Sequence, residues 1–564
     1  MKTPKVLSCI RVRVLSCVLR VSALILLLWL AAGNAAAQDK RPNILLIVAD
    51  DMGWSDAGVY GGEIFTPNIN RLANQGFQFL NFHVGSMCAP TRSMLMTGVD
   101  NHIVGLGNMT ELVADNQRGQ PGYEGRLNGK AATIATVLRN AGYHTYMAGK
   151  WHLGYTQQTL PASQGFDQSF ILAEGGADNY EKKSYTPTYP TAHFFDGLKE
   201  ATLPPDFYST QFYTDKIIGW IDANQADGKP FFAYLAYQAV HMPLQVPEQY
   251  TQRYLANYAA GWGEIRNVRY QRQVELGIMP AGLKLPSSPV IPDWSSLSAD
   301  ERRMDSKRMA VYAGMLEYMD MSIGRVLEHL RQKGLLDNTV VLFMSDNGGE
   351  AHELMEHFPD YYAKNFNLDY EHLGEKGSFV EYGPAWASVS MTPFSSFKSS
   401  ASEGGVRAPF IISYPKAIPA GQRTDAFASV VDVVPTLLQL AEAKPVADSP
   451  ALAGRSMMSV LTGQSRQVYP GDVSISQELS GGAAVYQGDY KLVRNIPPYG
   501  DRKWHLYNLR TDPTESNDLA SAEPQRVKAM TEGYAEYVQK NGVIEVPGDY
   551  DITAQAMKNA HAKH

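Results

Sequence analysis

Three groups of residues have the types and spacing that chemistry requires. The first is the run Ser86-Met87-Cys88-Ala89-Pro90-Thr91-Arg92-Ser93-Met94-Leu95-Met96-Thr97-Gly98. Pro90 suits the first turn of a helix, which puts Cys88 at a helix N-terminus, where free amides and the dipole favour an anion. Arg92, one turn further on, can reach back toward the same group. A single thiol is usually just a small buried hydrophobe, and that reading covers Cys88 but not the whole run. The second group is two pairs, Asp50-Asp51 and Asp346-Asn347, each directly after an apolar run that reads as a strand. Either pair alone would commonly do no more than cap a helix. Ligands bind beyond the carboxyl ends of strands in open parallel sheets, so both pairs can face one pocket. Four converging oxygen donors repel one another without a hard cation, and calcium suits an all-oxygen set better than zinc. The third group is basic. Lys150 and His152 are separated by one residue and point the same way off a strand end. His241 lies past another strand, and Lys398 precedes Glu403-Gly404-Gly405-Val406-Arg407. Taken singly, such residues are mostly solvated or satisfied by ordinary hydrogen bonds.

The elements that would position these groups follow a 564-residue pattern. Residues 1–37 have the layout of an export signal: basic Lys2, Lys5, Arg11, Arg13 and Arg20, an apolar run from Val21 to Ala32, and Ala35-Ala36-Ala37 before Gln38. The apolar run is short for a membrane span and no stop-transfer pattern follows, so no stable anchor is expected and the product should be periplasmic or secreted. The formal charge of −7 becomes more acidic once that leader is gone, which argues against nucleic acid or an anionic membrane as partner. Cys9 and Cys17 lie in the leader, leaving Cys88 as the one cysteine of the mature chain. An internal disulfide is therefore excluded.

From Pro42 to about Tyr414, buried strands alternate with amphipathic helices, predicting an α/β domain with a mostly parallel central sheet flanked by helices. The strands are expected at Asn43 to Ala49, His144 to Ala148, Phe231 to Tyr237, Thr339 to Ser345 and Ala408 to Tyr414. The longest helix is expected from Lys307 to Lys333. About Tyr180 to Ala201, Tyr250 to Asp300 and Ala351 to Phe397 interrupt the rhythm and read as lids or pocket walls. Short strands and turns then predict a smaller C-terminal α+β domain containing an antiparallel sheet. The expected division is 1–37 signal peptide, 38–465 catalytic domain, 466–547 small domain and 548–564 a loosely ordered tail.

The run around Cys88 resembles the signature of the type I sulfatases, Cys-x-Pro-x-Arg with a Thr-Gly close behind. Gly142-Tyr143-His144-Thr145-Tyr146-Met147-Ala148-Gly149-Lys150-Trp151-His152 resembles their second motif. The resemblance covers nearly the whole mature chain, including both acidic pairs and the C-terminal region, and is greatest to bacterial arylsulfatases. It implies an alkaline-phosphatase-like fold and hydrolysis of small-molecule sulfate monoesters. It also implies a maturation enzyme that converts Cys88 to formylglycine, and one calcium ion on Asp50, Asp51, Asp346 and Asn347. Lys150, His241 and Lys398 would contact the sulfate group; Arg92 and His152 would hold and work on the formylglycine hydrate. In that chemistry one hydroxyl of the hydrate attacks sulfur with Asp346 accepting its proton, and His241 or Lys398 protonates the leaving alcohol. His152 then deprotonates the second hydroxyl, so the sulfated intermediate collapses to aldehyde and sulfate. Val99 departs from the basic residue many sulfatases carry after the Thr-Gly, outside the catalytic set. His83, His102, His144 and His193 receive no catalytic role.

Two rivals share these residues. Phosphonate or phosphodiester hydrolases use the same modified cysteine and a similar metal site, and an unmodified Cys88 would leave a sulfate-binding protein without turnover. For the substrate, the third interruption joins the metal-bearing strand end to Lys398 and predicts part of a pocket wall. Its rings Tyr361, Tyr362, Phe366, Tyr370, Phe379, Tyr382 and Trp386 suit an aryl leaving group, although any single one of them more commonly packs the loop onto the domain, and none is assigned to contact.

Overall fold

Strand β1 (Asn43–Ala49) is buried along its whole length, and its alternation sets the architecture. Leu45 and Ile47 enter one apolar cluster, whereas Ile44, Leu46 and Val48 enter another on the opposite face. This computed structural model describes residues 41–189, 191–288 and 290–561. The expected leader, with Cys9 and Cys17, and the last three residues of the expected tail lie outside them.

The large sheet continues with β2 (Phe77–Phe79), β3 (His144–Lys150), β4 (Gln168–Leu172), β5 (Phe194–Asp196), β6 (Lys199–Glu200), β7 (Phe231–Ala236), β8 (Thr339–Ser345), β9 (Phe410–Ser413) and β10 (Gln422–Thr424). Their order is β10-β2-β9-β8-β1-β7-β3-β4-β5-β6. The central run β8-β1-β7-β3-β4 is parallel, and antiparallel partners follow at both flanks, β9 against β8 and β5 against β4. Four more strands, β11 (Ser474–Leu479), β12 (Gly482–Gln487), β13 (Tyr490–Arg494) and β14 (Trp504–Asn508), form a separate antiparallel meander. No helix among the described residues is long and apolar enough to cross a membrane.

Four helices bear on the site and its supports: α1 (Cys88–Thr97), α2 (Ala299–Gln332), α3 (Pro524–Asn541) and α4 (Ile552–His561). Helix α2 starts well before the expected Lys307. The reason is a capping box: the Ser298 hydroxyl accepts from the Glu301 N–H, and the Glu301 carboxylate accepts from the Ser298 N–H. The interruption Tyr250 to Asp300 likewise contains a helix, Trp262–Glu275, whose buried Arg269 pairs with Asp56 at 2.6 Å and Glu63 at 2.8 Å.

The tail expected from residue 548 also contains a helix, Ile552–His561. A helix of this length is marginal alone; α4 is held by docking. Tyr550 and Ile552 pack with Met87, Leu112 and Ala114, and the Asn559 amide donates to the carbonyls of Glu111 and Val113. Sequence composition could not reveal that surface, because Leu112 and Ala114 lie more than four hundred residues away.

Two buried charge clusters tie the meander to the rest. Lys491 of β13 pairs with Glu403 and Glu515, each at 2.8 Å, and Glu403 also receives Arg407 at 2.6 Å and His83 at 3.1 Å. The Glu403 to Arg407 segment thus anchors the small sheet. The second cluster sandwiches His102 between Asp100 and Glu478 of β11, each at 2.9 Å, while the Tyr537 hydroxyl of α3 donates to Asp100. Burial alone would depress the His102 imidazolium, but these carboxylates raise it to about 9. A raised folded-state pKa stabilises fully below the unfolded value near 6.5 and is lost as pH climbs through about 9. Melting between pH 6.5 and 9 should therefore show a decline worth on the order of 3 kcal/mol that His102→Gln flattens. Parallel pH profiles for the two proteins would contradict this.

Candidate active site

The carboxyl ends of β1, β3 and β8 meet at one edge of the sheet. Ala49 is in register with Ser345, so Asp50-Asp51 and Asp346-Asn347 leave the sheet side by side, all four buried. The Asp51 N–H donates to Asp346 Oδ1 at 3.3 Å, and the Asn347 amide lies 2.6 Å from Asp51 Oδ1. Helix α1 brings Cys88 to the same point, with Sγ 3.9 Å from Asp51 Oδ1. Arg92, entirely buried, locks the strand ends together. Its Nε donates to Asp346 Oδ2 at 2.8 Å and its Nη1 to the Lys150 carbonyl at 2.8 Å, while Nη2 has no hydrogen-bond partner and stands 3.7 Å from Asp50.

The basic residues surround this cluster. Lys150 Nζ lies 2.6 Å from Asp50 Oδ2; Lys398 Nζ lies 2.8 Å from Asp51 Oδ1 and 2.7 Å from Glu350 Oε2; His241 Nε2 lies 3.6 Å from Asp51 Oδ2. Burial raises the Lys398 cost of charge, yet Asp51 and Glu350 hold its ammonium well above the ordinary range. The two imidazoles behave oppositely. Burial and then Lys150, joined by Arg92 and Lys398 for His152 and by Lys398 for His241, drive both well below the usual histidine value. His241 Nδ1 is committed to the Met242 carbonyl, whereas His152 Nδ1 is buried without a partner. Asp51 and His152 both have φ near +59°, a strained left-handed backbone for non-glycine residues. Gly175 makes room for the second: a Cβ there would sit 2.8 Å from the His152 ring.

The oxygen donors fit a hard divalent cation. Asp50, Asp51, Cys88 and Asp346 each place a donor atom within 4.8 Å of the others. Asp50 Oδ1 and Asn347 Oδ1 are buried without any hydrogen-bond donor, and half a turn of the Asn347 amide exchanges its oxygen with the NH2 now directed at Asp51. Burial lifts Asp50 to about 8 against the pull of Lys150, and Asp51 to about 6 against Lys398. Asp346 is lowered because Arg92 and the lysines outweigh its burial. Lone pairs converging in a buried place, with too few donors to satisfy them, suit an oxygen-preferring ion.

All ten residues singled out from the sequence therefore come together. Sequence reasoning missed Glu350 and His352, which pair with each other beside Lys398. The signal was available in Gly348-Gly349-Glu350, immediately after Asp346-Asn347. The cleft above Cys88 encloses about 150 Å3 and is lined by His152, His241, Glu350 and Lys398 at its inner end. The expected aromatic wall is different. None of the seven rings named from the third interruption lines the cleft; that segment contributes Phe358 instead. Tyr362, Phe366 and Phe379 pack with Met242, Tyr382 stacks on Tyr312, and Trp386 joins Trp262 and Trp294, because large rings gain more from the core than from a solvated wall. The apolar surface comes from Met87, Met109, Leu112, Met242 and helix α4.

A family model described as Sulfatase matches residues 42–443, and one described as N-sulphoglucosamine sulphohydrolase, C-terminal, matches residues 398–540. An uncharacterized sulfatase of Schizosaccharomyces pombe is 38% identical over 546 residues, covering 92% of this chain and 97% of that one. An arylsulfatase of Klebsiella aerogenes is 38% identical over 422 residues, covering 74% and 90% respectively. Among solved structures, Ps i-CgsB in complex with k-i-k-neocarrahexaose superposes with a TM-score of 0.65 at 24% identity, covering 92% of this chain and 98% of the other, a likeness of fold.

Burial pushes the Cys88 thiol far above the ordinary range despite Lys150 and Lys398. Unmodified Cys88 should thus be inert in the native chain. At pH 8, iodoacetamide should label the Cys88 peptide about a hundredfold more slowly than in guanidinium, followed by mass spectrometry. Comparable rates would show an accessible thiolate.

Proposed function

Because the chain belongs to the sulfatase family and hydrolyses sulfate esters, we propose that it is a calcium-dependent, exported arylsulfatase-type enzyme whose nucleophile is formylglycine, made from Cys88 by a maturation enzyme. One observation carries the reading: Cys88 lines a cleft together with two buried ammonium groups, the imidazoles of His152 and buried His241, and the oxygen cluster.

A sulfate monoester shields its sulfur with negative oxygens, so the site must draw that charge away first. Lys150 and Lys398 do this as ammonium groups already charged when substrate arrives, each held in place by a carboxylate. Calcium on Asp50, Asp51, Asp346 and Asn347 would supply further positive charge for those oxygens. The formylglycine hydrate supplies two hydroxyls on one carbon, one to attack sulfur and one whose deprotonation lets the aldehyde re-form and sulfate depart. Asp346, kept ionised by Arg92, is the carboxylate placed to accept a proton. Lys398 carries the proton that the leaving oxygen needs, since its partners keep it charged while His241 is uncharged before substrate arrives. His241, its Nδ1 fixed on the Met242 carbonyl, presents Nε2 toward the sulfate position. His152 is suited to remove the proton from the second hydroxyl, being uncharged and having a free ring nitrogen. The apolar outer cleft supports a small aryl alcohol over a strongly hydrated sugar.

Purified mature protein should turn over 4-nitrophenyl sulfate, and Cys88→Ala should lower kcat about 10^4-fold or more without changing the melting temperature greatly. Retained activity would sink the mechanism. On the same preparation, kcat/KM for aryl sulfates should exceed that for sulfated sugars and for phosphodiesters; a sugar or phosphodiester that matched the aryl ester would overturn the substrate assignment. Stripping with chelator should lower the melting temperature, and calcium at about 100 times its Kd should restore about 2.7 kcal/mol. Stoichiometric zinc by elemental analysis, or no response to calcium, would contradict the metal assignment. N-terminal sequencing should begin at Gln38 if residues 1–37 are an export signal.

A further inference from the structure

The outer part of the cleft contains a carboxylate that the mechanism does not use. Glu111 lies between Met109 and Leu112, all three on the cleft wall, and its backbone carbonyl is tied to α4 by the Asn559 amide at 2.9 Å. Its Oε2 is buried, yet no hydrogen-bond donor among the described residues reaches it, and no described lysine, arginine or histidine pairs with it. Nothing about packing explains this. A buried carboxylate oxygen without a partner is costly, and native proteins leave few such groups unless something else completes them.

The surroundings say what could complete it. The rings of Tyr185 and Tyr189 meet edge to face at 6.0 Å, and Tyr185 reaches across to His241 at 5.3 Å, connecting the Glu111 wall to the sulfate end. Glu111 stands close enough to both phenols to add to the upward push that burial already gives them. The cleft is therefore cationic beside Cys88, apolar along Met87, Met109 and Leu112, and anionic at Glu111. A carboxylate flanked by aromatic rings attracts an ammonium group and repels a second anion.

We propose that Glu111 is a specificity residue that receives an ammonium group at the far end of a small apolar sulfate monoester and disfavours leaving groups carrying a second negative charge. This rests on the arylsulfatase reading above. It adds the charge of the leaving group.

The test uses three phenyl sulfates with a 2-aminoethyl, 2-hydroxyethyl or 2-carboxyethyl group in the para position, whose phenols leave with similar ease. Their dissociation constants are measured by calorimetry on the Cys88→Ala protein, so that binding is read without turnover. The ammonium ester should bind tightest and the carboxylate ester weakest. Adding Glu111→Gln should shrink the ammonium-to-carboxylate preference by about tenfold or more, the usual worth of a charge-assisted contact. In the catalytically intact protein the same substitution should act through KM, with kcat little changed. A smaller change in the preference, a reversed order, or no binding of any of the three esters overturns the role of Glu111. Failure of the arylsulfatase reading looks different: the intact protein then binds the esters but does not hydrolyse them.

Discussion

The mutual repulsion of Asp50, Asp51 and Asp346 beneath helix α1 is the constraint on which the rest of the site depends. Three carboxylates in a space of 4.8 Å, without contact with bulk water, cannot all be ionised unless positive charge is built around them. Arg92, Lys150 and Lys398 provide it, and each comes from a different part of the chain: the first turns of α1, the end of β3, and the loop that returns from the third interruption. The requirement for charge balance therefore also holds Cys88, Lys150, Lys398 and the oxygen-bearing Asp50, Asp51, Asp346 and Asn347 in the same place. Removing one member would leave an uncompensated buried charge, which is far more damaging than the loss of a surface pair.

That balance also sorts the proton-carrying groups. In one small volume, Lys398 is held charged by the carboxylates it touches, while burial and then the neighbouring lysines, joined by Arg92 for His152, keep His152 and His241 uncharged. Groups whose environments push their protonation in opposite directions are the usual means by which a site offers both an acid and a base near neutral pH. The strained backbones at Asp51 and His152 fit the same picture, since the aim of each side chain is held by surroundings that over-determine it.

The outer cleft depends on different forces. Its walls are assembled from the loop after α1, the segment carrying Tyr185, the short stretch around Phe358, and helix α4. These pieces are held by apolar contact, by amides such as Asn559 and by fully or partly exposed contacts such as Lys558 with Asp115 and Arg118 with Asn559, in contrast to the buried ionic network below. The charged floor and the outer wall of the cleft are thus physically separable, and the wall can vary while the charge balance beneath it stays intact.

Much of this was legible in the amino-acid sequence because it is local. A central strand such as Asn43–Ala49 is a continuous apolar run, a helix start before Pro90 is short-range stereochemistry, and an acidic pair at a strand end has its direction set by the strand. Most of the proposed site residues are legible for the same reason, lying at or just beyond an element whose end the sequence marks, whereas Lys398 sits in a loop and was singled out by the family resemblance. Other features were local but overlooked, as with Ser298 and Glu301 at the start of α2 and Glu350 after the glycine pair. What only the tertiary structure decided are choices between equivalent partners. Whether the rings from Tyr361 to Trp386 face the cleft or the core depends on which surfaces were still unfilled, and Tyr362, Phe366, Phe379, Tyr382 and Trp386 filled the core. Whether the chain after residue 548 orders depends on an apolar surface built around Met87 and Leu112. Whether Glu111 is a solvated surface acid or turns a buried, unpartnered carboxylate oxygen to a cleft depends on the same long-range closure, which brings α4 to its backbone carbonyl and to the other side of that cleft.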